Sequence, residues 1–417
     1  MNMDETSQLN NRNMRATNKD TLVILVLLLL VLVGLTVANW RFTSSSPGGN
    51  DFVPRWLGTR LLLTEGLNPY GSETSRLIQE FVYGREANPN EDQQLFAYPL
   101  HAVFVFAPFA LIENYNLVRA IWMTVLEISL VIMAFIGLRL SNIRLSPWIL
   151  GGAAIFGLLW YHGMRPLING NPSILSALFL AVSLVAIRAK QDLLAGVLLA
   201  LATLKPQIVI LIIPLTLVWS LSHRRWKLLS SFFLSLLIML IATLVIEPGW
   251  IPQNLNQIRY YPEYTLPGTP RSLLEVWWPG WGLIIALAIT VITGTILLWM
   301  WANAWRAPFT VYLWAAFGTM AITNLIGIQT AVSNYVAMLP AVIFVLAALS
   351  IKVVRRGKWI SLSLASAILI GLWVLFLTTQ EGRSQSGLMF FPIPVFLLVT
   401  LILLRPKTKG LIKIIRP

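Results

Sequence analysis

The sequence predicts an all-α polytopic membrane protein of about twelve transmembrane helices, with a re-entrant or juxtamembrane helix in its first outer loop. Three observations carry that expectation. Of its 417 residues, 57% are hydrophobic and only 12% charged, whereas a soluble domain carries about 25% charged residues. The apolar residues fall in runs, several near the ~20 residues that a helix needs to cross a bilayer. Lys and Arg collect in alternate loops between those runs, which is the orientation signal of a multi-pass protein.

In chain order, residues 1–20 are polar and read as a disordered cytoplasmic N-terminus. The first apolar run, 21–39, exceeds the ~7–15 residues of a signal-peptide core and reads as an uncleaved span. Further runs fall at 117–138, 147–164, 173–188, 192–204, 206–222, 228–246, 281–302, 309–327, 335–351, 359–379 and 389–404. The short run 99–112 holds Pro99 and Pro108 and is ambiguous. If it does not cross, 20 of the 31 Lys and Arg gather on one side, including those of the basic tail 405–417, and 12 of the 17 acids lie on the other. If it crosses, the later basic loops face away from the N-terminus, against the positive-inside rule. It therefore reads as an irregular element on the outer side. Both termini are then cytoplasmic, residues 21–404 form one transmembrane domain, and its long outer loops are 40–116 and 247–280. The expected location is the cell (plasma) membrane.

Composition also excludes. Zero cysteines rule out disulfides and thiolate metal sites. Three widely spaced histidines do not suggest a metal centre, and neither metal nor cofactor is expected. The net charge of +14 sits in the loops between spans, so nucleic acid is not the expected partner; membrane lipid is.

Asp51 stands out among the candidate functional residues. It is a lone carboxylate at the outer exit of the first span, followed by a basic and aromatic segment with Arg55, Arg60, Asn68-Pro69-Tyr70 and Phe96-Ala97-Tyr98-Pro99-Leu100-His101. Residues 52–66 read as a short helix along the membrane surface, with Phe52, Trp56, Leu61 and Leu63 as its apolar side. Asp51 at its start is open to two readings, a helix N-cap or a general base. Lys205 precedes Pro206 after a 13-residue run, about 20 Å of helix at ~1.5 Å per residue, and so falls short of the ~30 Å apolar core. It either snorkels or meets an anion in a protein-lined cavity. Asn169 and Asn171 suit a turn, and their amides also suit sugar hydroxyls. Arg259, in an aromatic outer segment, is a candidate for a sugar or diphosphate. Glu127, in mid-span, reads either as functional or as a neutral acid bonded to a neighbouring helix.

Taken in order, these pieces resemble the GT-C class of membrane glycosyltransferases, most closely glycosyltransferase family 87, the polyprenyl-phosphate-mannose-dependent α-1,2-mannosyltransferase-like group. The pieces are Asp51, Gly66-Leu67-Asn68-Pro69-Tyr70, Tyr98-Pro99-Leu100 ahead of Ala107-Pro108, the turn Asn169-Gly170-Asn171-Pro172-Ser173, and Lys205-Pro206. The chain departs from the pattern at Leu100, often Pro; at Asn171, usually Gln, and Ser173, usually Asn; and at Ser333-Asn334-Tyr335, where His often precedes the aromatic. The resemblance implies a hexosyltransferase, with mannose the expected sugar. It implies a polyprenyl-phosphate-sugar donor, a lipid or glycan acceptor on the outer face, and inversion at the anomeric carbon. Asp51 is then the base and Lys205 the phosphate partner, helped by Arg60 or Arg259. Tyr98, His101, Asn169, Asn171 and Tyr335 are substrate contacts. With no second acid evident beside Asp51, a bound divalent metal is not expected.

A transporter or lipid flippase is the alternative. It predicts functional residues strung across the membrane, with Glu127 and Lys205 on the path. The glycosyltransferase reading predicts them on one face. A scaffold leaves the long first loop and Lys205 without a role.

Overall fold

The computed structural model describes residues 18–264, 268–328, 330–352, 356–380 and 385–406. Most of the polar N-terminus and of the basic tail lies outside them, so the expectations for those segments do too. All secondary structure among the described residues is helical.

Helix α1 (Asn18–Ser45) is the first span. It packs on α5 (Tyr115–Ser141) through a few polar side chains, Thr36 on Thr124 and Asn39 on Thr124 and Glu127. Between them the first outer loop carries α2 (Val53–Glu65), α3 (Ser72–Tyr83) and α4 (Ala102–Ala110). Helix α4 has nine residues and contains Pro108. At about 1.5 Å per residue it reaches about 14 Å, less than half a bilayer core. Helix α2 differs from expectation. Phe52, Trp56 and Leu61 are buried in the protein core, and Leu63 is exposed. The helix is thus wedged into the protein, because Phe52 stacks on Trp122 of α5 at 5.3 Å and Trp56 donates to the carbonyl of Phe109 at 3.2 Å.

The rest of the chain builds a bundle: α6 (Pro147–Leu159), α7 (Tyr161–Ile168), α8 (Ser173–Arg188), α9 (Asp192–Ala202), α10 (Pro206–Val209), α11 (Ile212–Ser222) and α12 (Trp226–Ile246). Then come α13 (Trp250–Tyr264) and α14 (Pro270–Trp277) of the second outer loop, and α15 (Gly282–Ala304) and α16 (Phe309–Thr323). A 3₁₀ segment, Val332–Met338, leads into α17 (Leu339–Lys352), followed by α18 (Gly357–Thr379) and α19 (Pro392–Leu403). Six helical segments are long and apolar enough to cross a membrane, and six further apolar helices are shorter. The twelve apolar runs are therefore helical over most of their length, and in half of them the helix has 10–17 residues.

That shortness positions the site. Helices α9 and α11 have 11 residues each, about 16 Å of rise. They start and finish beside the basic loops: Arg225 pairs with Asp192, and the Arg306 amide donates to Ser222 at 3.2 Å. The connection between them, residues 203–211 with α10 inside it, is therefore a crest at the far end of both helices, and it carries Lys205.

Candidate active site

Asp51 is placed by α5. Arg119, 1% exposed, donates to the carbonyls of Ser46 at 2.8 Å and Ile168 at 3.4 Å, and the Tyr115 hydroxyl donates to Gly48 at 2.9 Å. Gly48 and Gly49 take positive φ, and a Cβ on Gly48 would stand 2.9 Å from the Arg119 guanidinium. The backbone therefore passes where no side chain fits. The Asp51 amide then donates to the carbonyl of Asn169 at 3.1 Å. Asp51 is not the N-cap of α2: Phe52 holds that position, with no side-chain cap bond. Its carboxylate instead accepts from the Asn171 amide at 3.0 Å.

Asn171, 4% exposed, links both principal candidates. Its Oδ1 accepts from the Lys205 ammonium at 2.8 Å and from the Ser173 amide at 2.9 Å. Its Nδ2 donates to Asp51 and, at 3.3 Å, to the Ser333 hydroxyl. The partners fix the orientation, since an ammonium and an N–H need an oxygen and a carboxylate needs a donor. The turn itself is docked by Trp122, which donates to the Gly170 carbonyl at 2.8 Å.

Lys205 is 6% exposed, so it does not snorkel. Its Nζ lies 5.8 Å from the centroid of the Tyr98 ring, and the Arg55 guanidinium lies 4.3 Å from the same ring. Tyr98 is held in turn by Tyr70, whose hydroxyl donates to the Tyr98 carbonyl at 2.6 Å. Arg55 is 8% exposed, bonds the Asp51 carbonyl at 3.3 Å, and leaves its Nε without a partner. Among the described residues neither Lys205 nor Arg55 forms a salt bridge. Two largely buried cations thus lie at one tyrosine ring without a salt bridge among the described residues, and a buried charge is costly unless paired.

The remaining candidates divide. The Asn169 carbonyl is a backbone anchor for Asp51. His101 braces the crest, with Nε2 3.3 Å from the Thr203 hydroxyl. Burial pushes its imidazole down to about 4, against the opposing contribution of the Thr203 bond. Tyr335 is fully buried and donates to the Phe390 carbonyl at 2.8 Å. Its hydroxyl is therefore occupied in packing. Arg60 points away, donating to the Ala110 carbonyl at 3.0 Å and pairing with Glu113 at 3.1 Å. Arg259 is exposed on α13, whose Gln253 and Gln257 face the first outer loop.

Two residues are given no role by their sequence context. Arg55 is one turn after Asp51, and only the packing of α2 shows that it, and not Arg60, joins Lys205. Asp92 is the second: it lies within electrostatic range of both Asp51 and Arg55, so Asp51 does have an acidic neighbour. Among the described residues no three His, Asp or Glu side chains gather as a metal site. Glu127 lies elsewhere. It accepts from Asn39 at 3.0 Å in a lateral groove of about 520 Å³ between α1 and α5–α7, lined mostly by apolar side chains such as Leu35, Ile128 and Met164.

The fold is thus a helical membrane bundle in which a carboxylate, Asp51, is joined through Asn171 to a buried lysine, Lys205. The family comparison supplies the class: residues 96–326 match the model of glycosyltransferase family 87, more than half of the chain. The protein belongs to that family and is a membrane glycosyltransferase. The matched stretch includes Tyr98, His101, Asn171 and Lys205, while Asp51 precedes it. No curated protein and no solved structure matches the chain.

Proposed function

We propose that the protein transfers a hexose, with mannose the expected sugar, from a polyprenyl-phosphate sugar to a lipid or glycan acceptor at the outer face of the cell membrane. The observation that carries this reading is the pair of buried cations at the Tyr98 ring, Lys205 and Arg55, neither in a salt bridge among the described residues, with Lys205 joined through Asn171 to Asp51. One end of the site thus suits a phosphate, the other a proton.

In the reaction, a carboxylate oxygen of Asp51 removes the proton of the acceptor hydroxyl as its oxygen attacks the anomeric carbon. The bond from that carbon to the phosphate oxygen breaks with its electron pair, and polyprenyl phosphate leaves. Lys205 and Arg55 lie where charge grows on that oxygen, in a recessed site where such contacts are strongest. A single displacement inverts the anomeric centre. Asn171 holds base and cation in register.

The test is release of polyprenyl phosphate from a panel of polyprenyl-phosphate hexoses by the purified protein in lipid, with a membrane-lipid extract as acceptor. Asp51→Asn should lower turnover by roughly 100-fold or more, in the range for loss of a general base. Full turnover in a folded variant moves the base elsewhere, and no turnover by the parent with any donor sinks the reading.

A further inference from the structure

Helix α13 has no part in the chemistry above, yet its faces are sorted in an unusual way. Trp250, Asn254 and Gln257 are buried. One position on, Ile251, Leu255 and Ile258 are exposed, Leu255 at 59% against 5% for its neighbour Asn254. One position further, Pro252, Asn256 and Arg259 are exposed as well. Each set recurs at i, i+4 and i+7, so each lines one face of the helix. A helix on the surface of a soluble protein buries its apolar face and shows its polar one. Here a mostly polar face is buried, an apolar face points outward, and a polar face with a basic residue adjoins it. That is the pattern of a helix lying in a membrane interface.

The path of the chain brings the bilayer to that face. The preceding span, α12, ends at Ile246, and Val245 and Ile246 are exposed there. Only residues 247–249 separate it from α13, and they turn tightly. The Glu247 amide donates to the Thr243 carbonyl at 2.9 Å, and the Trp250 amide to the Glu247 carbonyl at 3.2 Å. Three residues reach at most about 11 Å even when extended, so α13 starts at the level where the span leaves the lipid. Where the same loop returns to the next span, α15, it exposes Trp278 and Trp281, residue types of the interfacial layer.

The inward face of α13 is tied to Tyr98. Gln257 accepts from the Ala97 amide at 2.8 Å and donates to the Tyr70 carbonyl at 3.5 Å. The Tyr70 hydroxyl in turn holds the Tyr98 carbonyl. Asn68, two residues before Tyr70, donates to Gln253 at 2.9 Å. Ala97 has φ of 47°, uncommon for a residue with a Cβ, so the bend into Tyr98 rests on contacts such as that of Gln257 and not on local preference.

We propose that α13 is an interfacial helix: its Ile251, Leu255 and Ile258 face docks in the lipid leaflet at the Asp51 end of the bundle, with Arg259 at the phosphate layer. This docking seats Gln257 on the bend that leads into Tyr98. Gln257 is thus a positioning residue that acts through Ala97 and Tyr70. The placement holds whichever donor and acceptor the protein uses, and its test needs no substrate.

Two measurements on the full chain in phosphatidylcholine–phosphatidylglycerol nanodiscs test it. The chain has no cysteine, so a single nitroxide can be placed on Leu255→Cys or on Asn256→Cys. The label on Leu255→Cys should collide more with oxygen, which partitions into lipid, than with a water-soluble nickel chelate; the label on Asn256→Cys should show the reverse. Preference for the chelate at both positions overturns the docking. So does a label on Leu255→Cys shielded from both reagents, which would mean that protein, such as a second copy of the chain, covers the face. The second measurement is amide hydrogen exchange at Ala97. Gln257→Ala should speed it by about tenfold, the scale of one lost hydrogen bond. Leu255→Gln, on the lipid face, should speed it by a similar factor while the amides of α5 keep the parent's protection. Exchange at Ala97 unchanged in Leu255→Gln overturns the link between docking and Tyr98. Ile258→Ser takes its place if Leu255→Gln also loosens α5.

Discussion

Asn171 governs the residue scale. It supplies an oxygen to a buried ammonium and an amide to a carboxylate that the chain brings from 120 residues away. Truncating it strands Lys205 without that oxygen, and an unsatisfied buried polar group costs about 1–3 kcal/mol, more when charged. Asn171→Ala should therefore lower stability by at least about 1 kcal/mol and reduce transfer more than Ser333→Ala, which removes only a 3.3 Å bond. Denaturant unfolding and the transfer assay on both variants check this; equal effects would show that Asn171 is not the link. The sequence made Asp51 and Lys205 visible because a charge in an apolar context is conspicuous. It did not make Asp92 visible, because acids in an exposed loop are common and its proximity to Asp51 depends on how residues 84–98 fold back.

Elements explain why these side chains meet. The turn between α7 and α8 is pressed onto α2: Gly170 has φ +67°, and a Cβ there would lie 2.7 Å from Cβ of Phe52. Gly66, which ends α2 at φ +69°, has open space around it. The pair makes a controlled comparison. Gly66→Ala should cost only the left-handed backbone penalty of about 1–2 kcal/mol. Gly170→Ala should cost that and a displacement of α2, and should also reduce transfer by moving Asp51. Unfolding midpoints and turnover measured side by side decide it, and equal losses would contradict the close approach. The second element-scale feature is the crest at Lys205. The shortness of run 192–204 predicts a Lys205 recessed in protein, and the residue, just past the end of α9, is buried. What covers Lys205 was not legible, since Tyr98 and Asn171 arrive from separate segments.

Across the whole molecule, the charge pattern and the helical bundle tell one story. Arg188 donates to the carbonyl of Arg139 at 2.8 Å, Arg225 pairs with Asp192, and Arg405 donates to Asn303 at 2.8 Å, so the basic loops meet at one end. Asp51, Asn171, Lys205 and Ser333 meet toward the other. The chain has no cysteine, so an introduced one is unique. In intact cells a membrane-impermeant maleimide should label Glu86→Cys and spare Lys190→Cys until the membrane is permeabilised. Labelling of both from outside would overturn the assigned orientation.

By itself the sequence determined that this is a helical membrane protein, where its apolar helices lie, which loops share a side, and that Asp51 and Lys205 carry unusual charges. Those properties follow from local composition and period, which need no partner to be read. Only the tertiary structure decided that Arg55 and not Arg60 shares Tyr98 with Lys205, that Asn171 joins Asp51 to Lys205, and that Tyr335 is spent on packing. Each of these is a contact between segments far apart in the chain, set by the packing of α2 and the turn after α7 against α5, and no local pattern encodes such a contact.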